Sequence, residues 1–266
     1  MKKMEWKQYE DIKVVKIAVN PLFPLMSVYL YFVDGMLVDT GPRIQKRNLK
    51  GIFPSWDIKQ VALTHSHEDH TGMASWIAKH TDAEIFCHEE MVREANEKAR
   101  IPWYRELFVG PRFAFSPKPF PDSIRTQAHT FYPIHTPGHT KDHVCLLEPN
   151  KGWLFTGDLY ITPYPKVFMK EESISGYIES IKKLNTYDYQ TVFCGHEGII
   201  RNGKEMMTRK LAYLQKTRNE IIRMNRLGYT EREISKQMFP ENVRLEKITF
   251  GSFSRMNLIR SCLRNN

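Results

Sequence analysis

The amino-acid sequence predicts an α/β fold that is followed by a helical C-terminal segment. Over the first two hundred residues, short runs rich in β-branched and aromatic side chains alternate with stretches whose apolar residues recur at helical spacing. From about residue 204 the strand-like runs give way to basic, amphipathic stretches. We therefore expect an α/β domain over residues 1–203 and a helical appendage over residues 204–266.

The first strands are expected to form a hairpin. Residues 12–19 and 27–33 are rich in β-branched and aromatic side chains, and Asp34-Gly35 is a turn pair that leads into a third strand at 36–38. The remaining strands are expected at 60–63, 84–87, 130–134, 144–147, 153–155 and 191–194. Helices are expected between them at 71–80, 89–100 and 175–184, where the apolar residues follow helical spacing.

Residues 102–121 differ in kind from their surroundings, because prolines and aromatic side chains are concentrated there. Such a composition predicts a long irregular loop, which serves as a lid or binding loop or else lacks order. In the C-terminal segment, a helix is expected over 204–227, followed by Gly228 as its stop signal. The spacing of Thr230 and Glu233 predicts a capping box at the start of a second helix. A third helix is expected over 253–263.

Composition excludes several classes of protein. A chain of 266 residues with 41% hydrophobic content can bury a sizeable core. The four cysteines lack CxxC spacing, so buried free thiols are expected rather than a disulfide framework. The sequence shows neither a signal-peptide core nor an apolar run of membrane-spanning length, so we expect a cytoplasmic protein with no membrane partner. The net charge of +9 favours anionic partners, although an ordinary basic surface explains it equally well.

The strongest chemical signal is a dense cluster of potential metal ligands directly after the strand expected at 60–63. The cluster reads His65-Ser66-His67-Glu68-Asp69-His70. Imidazole and carboxylate groups suit a borderline divalent ion such as zinc, and they also hold manganese or iron. The alternative for the segment taken alone is a solvated polar loop.

Three later segments repeat the pattern of an apolar strand that ends in a possible ligand. These segments end at His139, Asp158 and His196, and a glycine immediately precedes each of the three residues. Because glycine lacks a Cβ, the backbone can approach closely at these positions, as expected for ligands crowded around one site.

The ordered series of motifs resembles that of the metallo-β-lactamase superfamily. The resemblance covers about residues 10–200, and the residues that carry it are Asp39-Thr40-Gly41, His65, His67, Asp69, His70, His139, Asp158 and His196. It implies a four-layer αβ/βα sandwich in which two mixed sheets pack face to face, with helices outside and the metals at one edge of the sheets. The tail at 251–261 is more weakly similar to a winged-helix-like module of some members.

The resemblance also implies a role for each motif residue. His65, His67 and His139 would hold one metal ion, whereas Asp69, His70 and His196 would hold a second. Asp158 would bridge the two ions. Asp39 would support the ligands without binding metal itself. Zinc is the preferred ion in both sites, with manganese or iron as alternatives.

This set is similar to the glyoxalase II, lactonase and ribonuclease branches. It departs from the β-lactamases, which lack a bridging aspartate. The implied activity is therefore hydrolysis of a small ester, thioester or lactone by a hydroxide that bridges the two metals, with Asp69 orienting the nucleophile and carrying a proton.

Two alternatives remain open at this point. The first is a phosphodiesterase or endoribonuclease acting on nucleic acid, which the +9 charge favours. The second is a di-iron redox or sensing protein, although nothing after residue 200 resembles the flavin-binding domain of that branch. Tyr160 and Tyr164 follow Asp158 closely and are candidates for substrate binding, with packing as the alternative. His135 is expected to support the site or to lie at the surface, with a spare ligand as the alternative. His143 resembles a position that often carries histidine in glyoxalase-like members, with a polar start of a strand as the alternative.

Overall fold

The computed structural model describes residues 4–23, 26–241, 246, 247, 249 and 251–264. Within them, the chain forms two β-sheets that pack face to face, and helices cover both outer faces. This arrangement is the predicted four-layer sandwich with helices at the C-terminal end. Across the same residues, none of the helices combines the length and apolarity needed to cross a lipid bilayer.

Among the described residues, the first sheet contains seven strands in sequence order. They are β1 Met4–Tyr9, β2 Ile12–Ala18, β3 Ser27–Val33, β4 Met36–Val38, β5 Gln60–Ala62, β6 Glu84–Cys87 and β7 Lys118–Pro119. Strands β1 to β4 are antiparallel, whereas β4 to β7 are parallel. The parallel strands therefore direct their carboxyl ends to one edge of the sheet.

The second sheet contains six strands in the order β13-β12-β11-β10-β9-β8. The strands are β8 Ile124–Arg125, β9 Thr130–His135, β10 Val144–Glu148, β11 Trp153–Gly157, β12 Thr191–Cys194 and β13 Gly198–Ile200. All neighbours are antiparallel except β11 and β12, which run parallel. Parallel pairing places the ends of β11 and β12 side by side.

The helices lie outside the two sheets. They are α1 Lys46–Lys50, α2 Glu68–Thr71, α3 Ala74–His80, α4 Glu89–Ala95, α5 Trp103–Val109, α6 Ile174–Asn185, α7 Gly203–Arg226, α8 Glu231–Met238 and α9 Arg255–Leu263. The capping box predicted for Thr230 and Glu233 is confirmed at the start of α8. Gly228 follows α7 with a φ of 88°, a conformation suited to a helix stop.

The core forms layers on the two faces of each sheet, because successive side chains of a strand point to opposite faces. In β2, Ile12 and Val14 face the second sheet, whereas Val15 and Ile17 belong to the cluster beneath the outer helices. A third cluster joins the outer face of the second sheet to α6, α7, α8 and α9. All four cysteines are buried and free, which confirms the prediction of buried thiols.

The sequence prediction was wrong in one region, and it missed strands β1, β8 and β13. Residues 102–121, predicted as a long irregular loop, contain helix α5 and strand β7. Strand β1 was not predicted, because it lies at the sheet edge and carries little of the apolar alternation that marks a strand. The helix predicted over 89–100 ends earlier, at Ala95.

Candidate metal centre

The predicted ligands lie at the ends of strands from both sheets. His65 and His67 follow β5, and Asp69 and His70 lie in α2, the short helix that comes next. In the second sheet, the chain reaches His139 after β9, Asp158 directly after β11 and His196 shortly after β12. The two sheets therefore bring all seven side chains to one edge of the sandwich.

The first group consists of three histidines and Asp158. His67 Nδ1 lies 3.1 Å from His65 Nε2 and 2.9 Å from His139 Nε2. His139 Nε2 is also 3.4 Å from Asp158 Oδ2. The candidate ligand atoms of this group all lie within 4.8 Å of one another. Their spacing is compatible with a single ion at their centre.

The second group consists of Asp69, His70 and His196. Asp69 Oδ2 lies 3.9 Å from His70 Nε2 and 3.5 Å from His196 Nε2. The three candidate ligand atoms again lie within 4.8 Å of one another.

The carboxylate of Asp158 lies between the two groups. Its Oδ1 is 3.2 Å from His70 Nε2, and its Oδ2 is 3.1 Å from His196 Nε2. The same Oδ2 faces His139 of the first group at 3.4 Å. One carboxylate thus contacts ligand candidates of both groups.

The outer nitrogens of the histidines are held by fixed hydrogen-bond acceptors. His70 Nδ1 donates to Asp39 Oδ2 at 2.8 Å, and His196 Nδ1 donates to the carbonyl of Ser27 at 2.7 Å. His139 Nδ1 donates to Glu172 Oε1 at 2.9 Å. When these imidazoles are neutral, the single proton of each lies in one of these hydrogen bonds, and each Nε2 offers a lone pair to the cluster.

Asp39 also holds the residue that precedes the cluster. Its Oδ1 accepts from the backbone N–H of Thr64 at 2.8 Å, and its Oδ2 accepts from the Thr64 hydroxyl at 2.8 Å. Asp39 adopts a φ of 57°, which an aspartate tolerates better than most residues do. It contacts His70 from outside the cluster, where the predicted supporting role would place it.

Two orphaned atoms indicate that the cluster fits a cation. His70 Nε2 and Asp158 Oδ1 are fully buried, and neither has a hydrogen-bond partner. When His70 is neutral and donates through Nδ1 to Asp39, these two atoms are both acceptors, and they face each other at 3.2 Å. Burying unpaired acceptors is costly, and a shared cation removes that cost. The donor set of imidazole and carboxylate suits zinc, manganese or iron.

The pKa shifts of His70 and His196 also indicate that the cluster favours positive charge. Burial lowers the pKa of His70, but the carboxylates of Asp158, Asp39 and Asp69 outweigh it and raise the pKa well above its usual value. Burial opposes the corresponding shift at His196, whose pKa the carboxylates of Asp158 and Asp69 raise to about 9. The carboxylates thus draw cations, whether protons or metal ions, to the ligand nitrogens.

Sequence reasoning missed two residues that support His139. Glu172 Oε1 accepts from His139 Nδ1, and Tyr177 donates its hydroxyl to the same oxygen at 2.5 Å. Both side chains are buried. Glu172 stands just before α6 and Tyr177 lies within it, so neither follows a strand in the manner of the predicted ligands. No local pattern in the sequence marks either residue.

The other candidate residues of the sequence analysis lie in different surroundings. Buried His143 accepts the backbone N–H of Asp158 through Nε2 at 3.3 Å, whereas His135 stacks on His88. Tyr160 is buried beneath Lys210, whose Nζ lies 5.9 Å from the ring centroid. Tyr164 is half exposed and meets Tyr213 edge-on. The substrate-binding role of both tyrosines stays a prediction.

A cleft of about 320 Å³ adjoins His67. Its walls carry acidic and basic side chains from α4 and the residues after it, among them Glu94, Lys98 and Arg100. Arg105 of α5 donates to Glu68 Oε2 at 2.7 Å and so fixes α5 beside the cluster. The region predicted as a lid or binding loop thus contributes an anchored helix.

Comparison with known proteins identifies the class to which this fold and site belong. The profile of the metallo-beta-lactamase superfamily matches residues 25–196. A crystal structure of a beta-lactamase domain protein from Burkholderia ambifaria has the same fold, with a TM-score of 0.74, 17% identity and coverage of 98% of this chain and 88% of that one. The chain belongs to the metallo-β-lactamase superfamily, a class of metal-dependent hydrolases.

Curated relatives agree with that class. The chain is 27% identical to a beta-lactamase-like protein 2 homolog of Caenorhabditis elegans over 71% of this chain and 61% of the relative. It is 24% identical to the probable metallo-hydrolase YqjP of Bacillus subtilis over 85% of both chains. It is 32% identical to a hydroxyacylglutathione hydrolase of Rhodospirillum rubrum over 53% of this chain and 49% of the relative. The chain thus spans about half to three-fifths of the length of several relatives.

Proposed function

We propose that this chain is a dinuclear metal-dependent hydrolase that cleaves a small ester, thioester or lactone. The observation that carries the proposal is the position of Asp158, whose carboxylate contacts candidate ligands of both groups. A bridging carboxylate needs two ions, one on each side. The relative from Rhodospirillum rubrum supports the choice of substrate, because its name describes removal of an acyl group from glutathione, a thiol.

Each group of side chains would hold one ion. His65, His67 and His139 would bind the first, Asp69, His70 and His196 would bind the second, and Asp158 would bind both. Zinc is our first choice, with manganese or iron as alternatives. When bound, such ions lower the pKa of water and polarise a carbonyl group of the substrate.

Asp69 has a second proposed role as a proton carrier. Burial raises its pKa, but the neighbouring His70 and His196 outweigh this and lower the pKa below its usual value, so the side chain is ionised. An ionised carboxylate at this position can orient a water molecule and accept its proton. Tyr160 and Tyr164 remain proposed contacts for the substrate.

The proposal is tested by a rate comparison on zinc-loaded and manganese-loaded protein. The substrates are a lactone, a thioester, an aryl ester, a bis-aryl phosphate and a labelled RNA. We expect turnover of the carboxyl substrates and a loss of about 100-fold or more in Asp69→Ala. Glu148→Ala is the control, because Glu148 is also a buried carboxylate and it pairs with His129 outside the cluster.

The same experiment judges the second candidate function. The net charge of +9 favours a phosphodiesterase that acts on nucleic acid. Cleavage of RNA that is lost in Asp69→Ala and weakened by salt would establish that function instead. Absence of turnover on every substrate, or equal rates in Asp69→Ala and the wild type, would refute the hydrolase proposal.

A further inference from the structure

Helix α7 places a lysine inside its apolar face. The residues of α7 that are buried recur every three or four positions and are Gly203, Met207, Lys210, Leu214, Thr217, Ile221 and Met224. Lys210 is only 2% exposed, at a position in the stripe where a leucine or methionine would fit. Burial of an ammonium group is costly, so its presence calls for a compensating interaction.

Lys210 finds that interaction at the turn that carries Asp158. Its Nζ donates to the carbonyl of Leu159, the next residue, at 2.7 Å. The turn itself is tight, because the N–H of Leu159 donates to the carbonyl of Thr156 at 2.9 Å. The lysine therefore holds the backbone immediately beside the carboxylate that lies between the two groups of ligands.

Lys210 also reaches the residues that hold His139. Its Nζ lies 4.7 Å from the ring centroid of Tyr177, within the range of a cation–π contact. The hydroxyl of Tyr177 donates to Glu172, and Glu172 accepts from His139 Nδ1. Lys210 thus contacts both the residue that follows Asp158 and the tyrosine whose hydrogen bonds support His139.

A second lysine of the same helix provides a comparison. Lys204 Nζ donates to the carbonyl of Tyr187 at 2.7 Å and lies 5.6 Å from the ring centroid of Tyr189. The contacts are of the same kind, but they lie in the segment that follows α6, not beside a proposed ligand. Lys204 is also partly exposed, so solvent shares in satisfying it. Comparing the two lysines therefore distinguishes an effect on the anchoring of α7 from an effect on the position of the proposed metal ligands.

We propose that Lys210 is a positioning residue of the metal centre, which fixes Asp158 through the Leu159 carbonyl and His139 through Tyr177 and Glu172. The inference rests on the proposed binding of metal by these residues. It makes α7 part of the centre, although α7 supplies none of the proposed ligands. Lys210 acts on the positions of the ligands and does not touch the substrate.

The test compares zinc affinity in Lys210→Met and Lys204→Met, measured on metal-free full-length protein by competition with a fluorescent chelator. Methionine matches the lysine stem and fits an apolar stripe. We expect zinc affinity to fall by about 10- to 100-fold in Lys210→Met, as is typical when a supporting contact of a metal ligand is lost. Lys204→Met is expected to keep the wild-type affinity. With a substrate that the wild type hydrolyses, kcat is expected to fall in Lys210→Met while KM stays unchanged.

Wild-type zinc affinity in a folded Lys210→Met protein would overturn the inference, as would an equal loss in Lys204→Met. If Lys210→Met does not fold, Lys210→Gln decides, because it removes the ammonium group but keeps a polar end at the same position. We expect that variant to bind zinc several-fold more weakly than the wild type, and unchanged affinity there would overturn the inference. A wild type that binds zinc but hydrolyses nothing refutes the proposed function alone, whereas a wild type that binds no zinc refutes both.

Discussion

Gly195 shows at the residue scale how closely the backbone approaches the proposed ligands. A Cβ added at this position would lie 2.7 Å from His70 Cε1 and 2.8 Å from Asp158 Oδ1. Gly157 is similarly confined, since its Cβ would lie 2.6 Å from Thr64 Oγ1. The sequence-based explanation for glycines that precede the ligands, close backbone approach, is confirmed at these two positions.

We predict that Gly195→Ala impairs metal binding while the protein stays folded. The new methyl group would displace His70, a proposed ligand of the second ion, or Asp158, the proposed bridge between the two ions. We expect zinc affinity to fall at least tenfold, measured by chelator competition on metal-free protein. The matched control is Gly228→Ala, where no atom lies within 4 Å of the new Cβ but φ is 88°. That variant should lose about 1–2 kcal/mol of stability and no zinc affinity. Undiminished zinc affinity in Gly195→Ala would contradict the prediction.

The proposed ligands could be predicted at this scale, but their supporting contacts could not. Ligands such as His65 and His67 follow a strand in a fixed, recognisable order. Glu172 and Tyr177 belong to a different part of the chain and meet His139 only after folding. One sequence contains no local pattern for a contact of that kind.

At the element scale, α7 combines an apolar stripe with the buried ammonium of Lys210. Burial lowers the pKa of Lys210 to about 8, although Glu172, Cys194 and Asp158 act in the opposite direction. The ordinary pKa of a lysine is 10.5. Between these two values the unfolded chain binds more protons than the folded chain does. The free energy of unfolding should therefore rise with pH across that window.

We predict that this rise is specific to Lys210. The pKa difference corresponds to about 3 kcal/mol of stability, which is absent below pH 8 and is gained by pH 10.5. We would measure the free energy of unfolding by urea titration of the metal-free wild type and of Lys210→Met, each at pH 7.5 and at pH 10. The stability of the wild type relative to Lys210→Met should increase by up to that amount between the two pH values. A difference that stays constant with pH would show that Lys210 keeps an ordinary pKa in the folded chain.

Local pattern predicted most elements well and failed where neighbouring elements decide. Strands β3 and β6 agree with the prediction. Their side chains either alternate between apolar and polar or are continuously apolar, as is typical of buried strands. Helix α5 escaped prediction because the prolines around it suggested a loop. Its position is instead fixed by contacts with distant residues, such as Arg105 with Glu68 and the carbonyl of Phe108 with Asn20.

At the scale of the whole molecule, the C-terminal helices share a core with the second sheet. Buried side chains of α7, α8 and α9 belong to one cluster with those of β9 to β12 and α6. Ser261 of α9 also accepts the N–H of Ile174 at the start of α6. The boundary at residues 203 and 204 stays a prediction, but the helices that follow it cover an apolar face that would otherwise meet solvent.

We predict that residues 1–203 do not fold without residues 204–266. Removal of α7 would expose the apolar side chains that pack around Leu214 and Ile221, and it would leave the Leu159 carbonyl without Lys210. Thermal unfolding of the full chain should give a single transition, whereas the shortened chain should give none or should aggregate. As a control within the full chain, Leu214→Ala should cost about 2–5 kcal/mol and keep a single transition. A shortened chain that melts cooperatively and binds zinc would contradict the prediction.

The sequence by itself determined the fold class and the order of the candidate ligands. Side-chain periodicity sets which face of each strand is buried, and the ligand residues stand at the ends of those strands or within a few residues of them, so both are local properties of the chain. The tertiary structure decided the rest. It placed the Asp158 carboxylate between two groups of ligands, it brought Glu172 and Tyr177 to His139, and it buried Lys210 beside Leu159. These contacts join residues far apart in the chain, and only the packing of the two sheets and their helices fixes such distances.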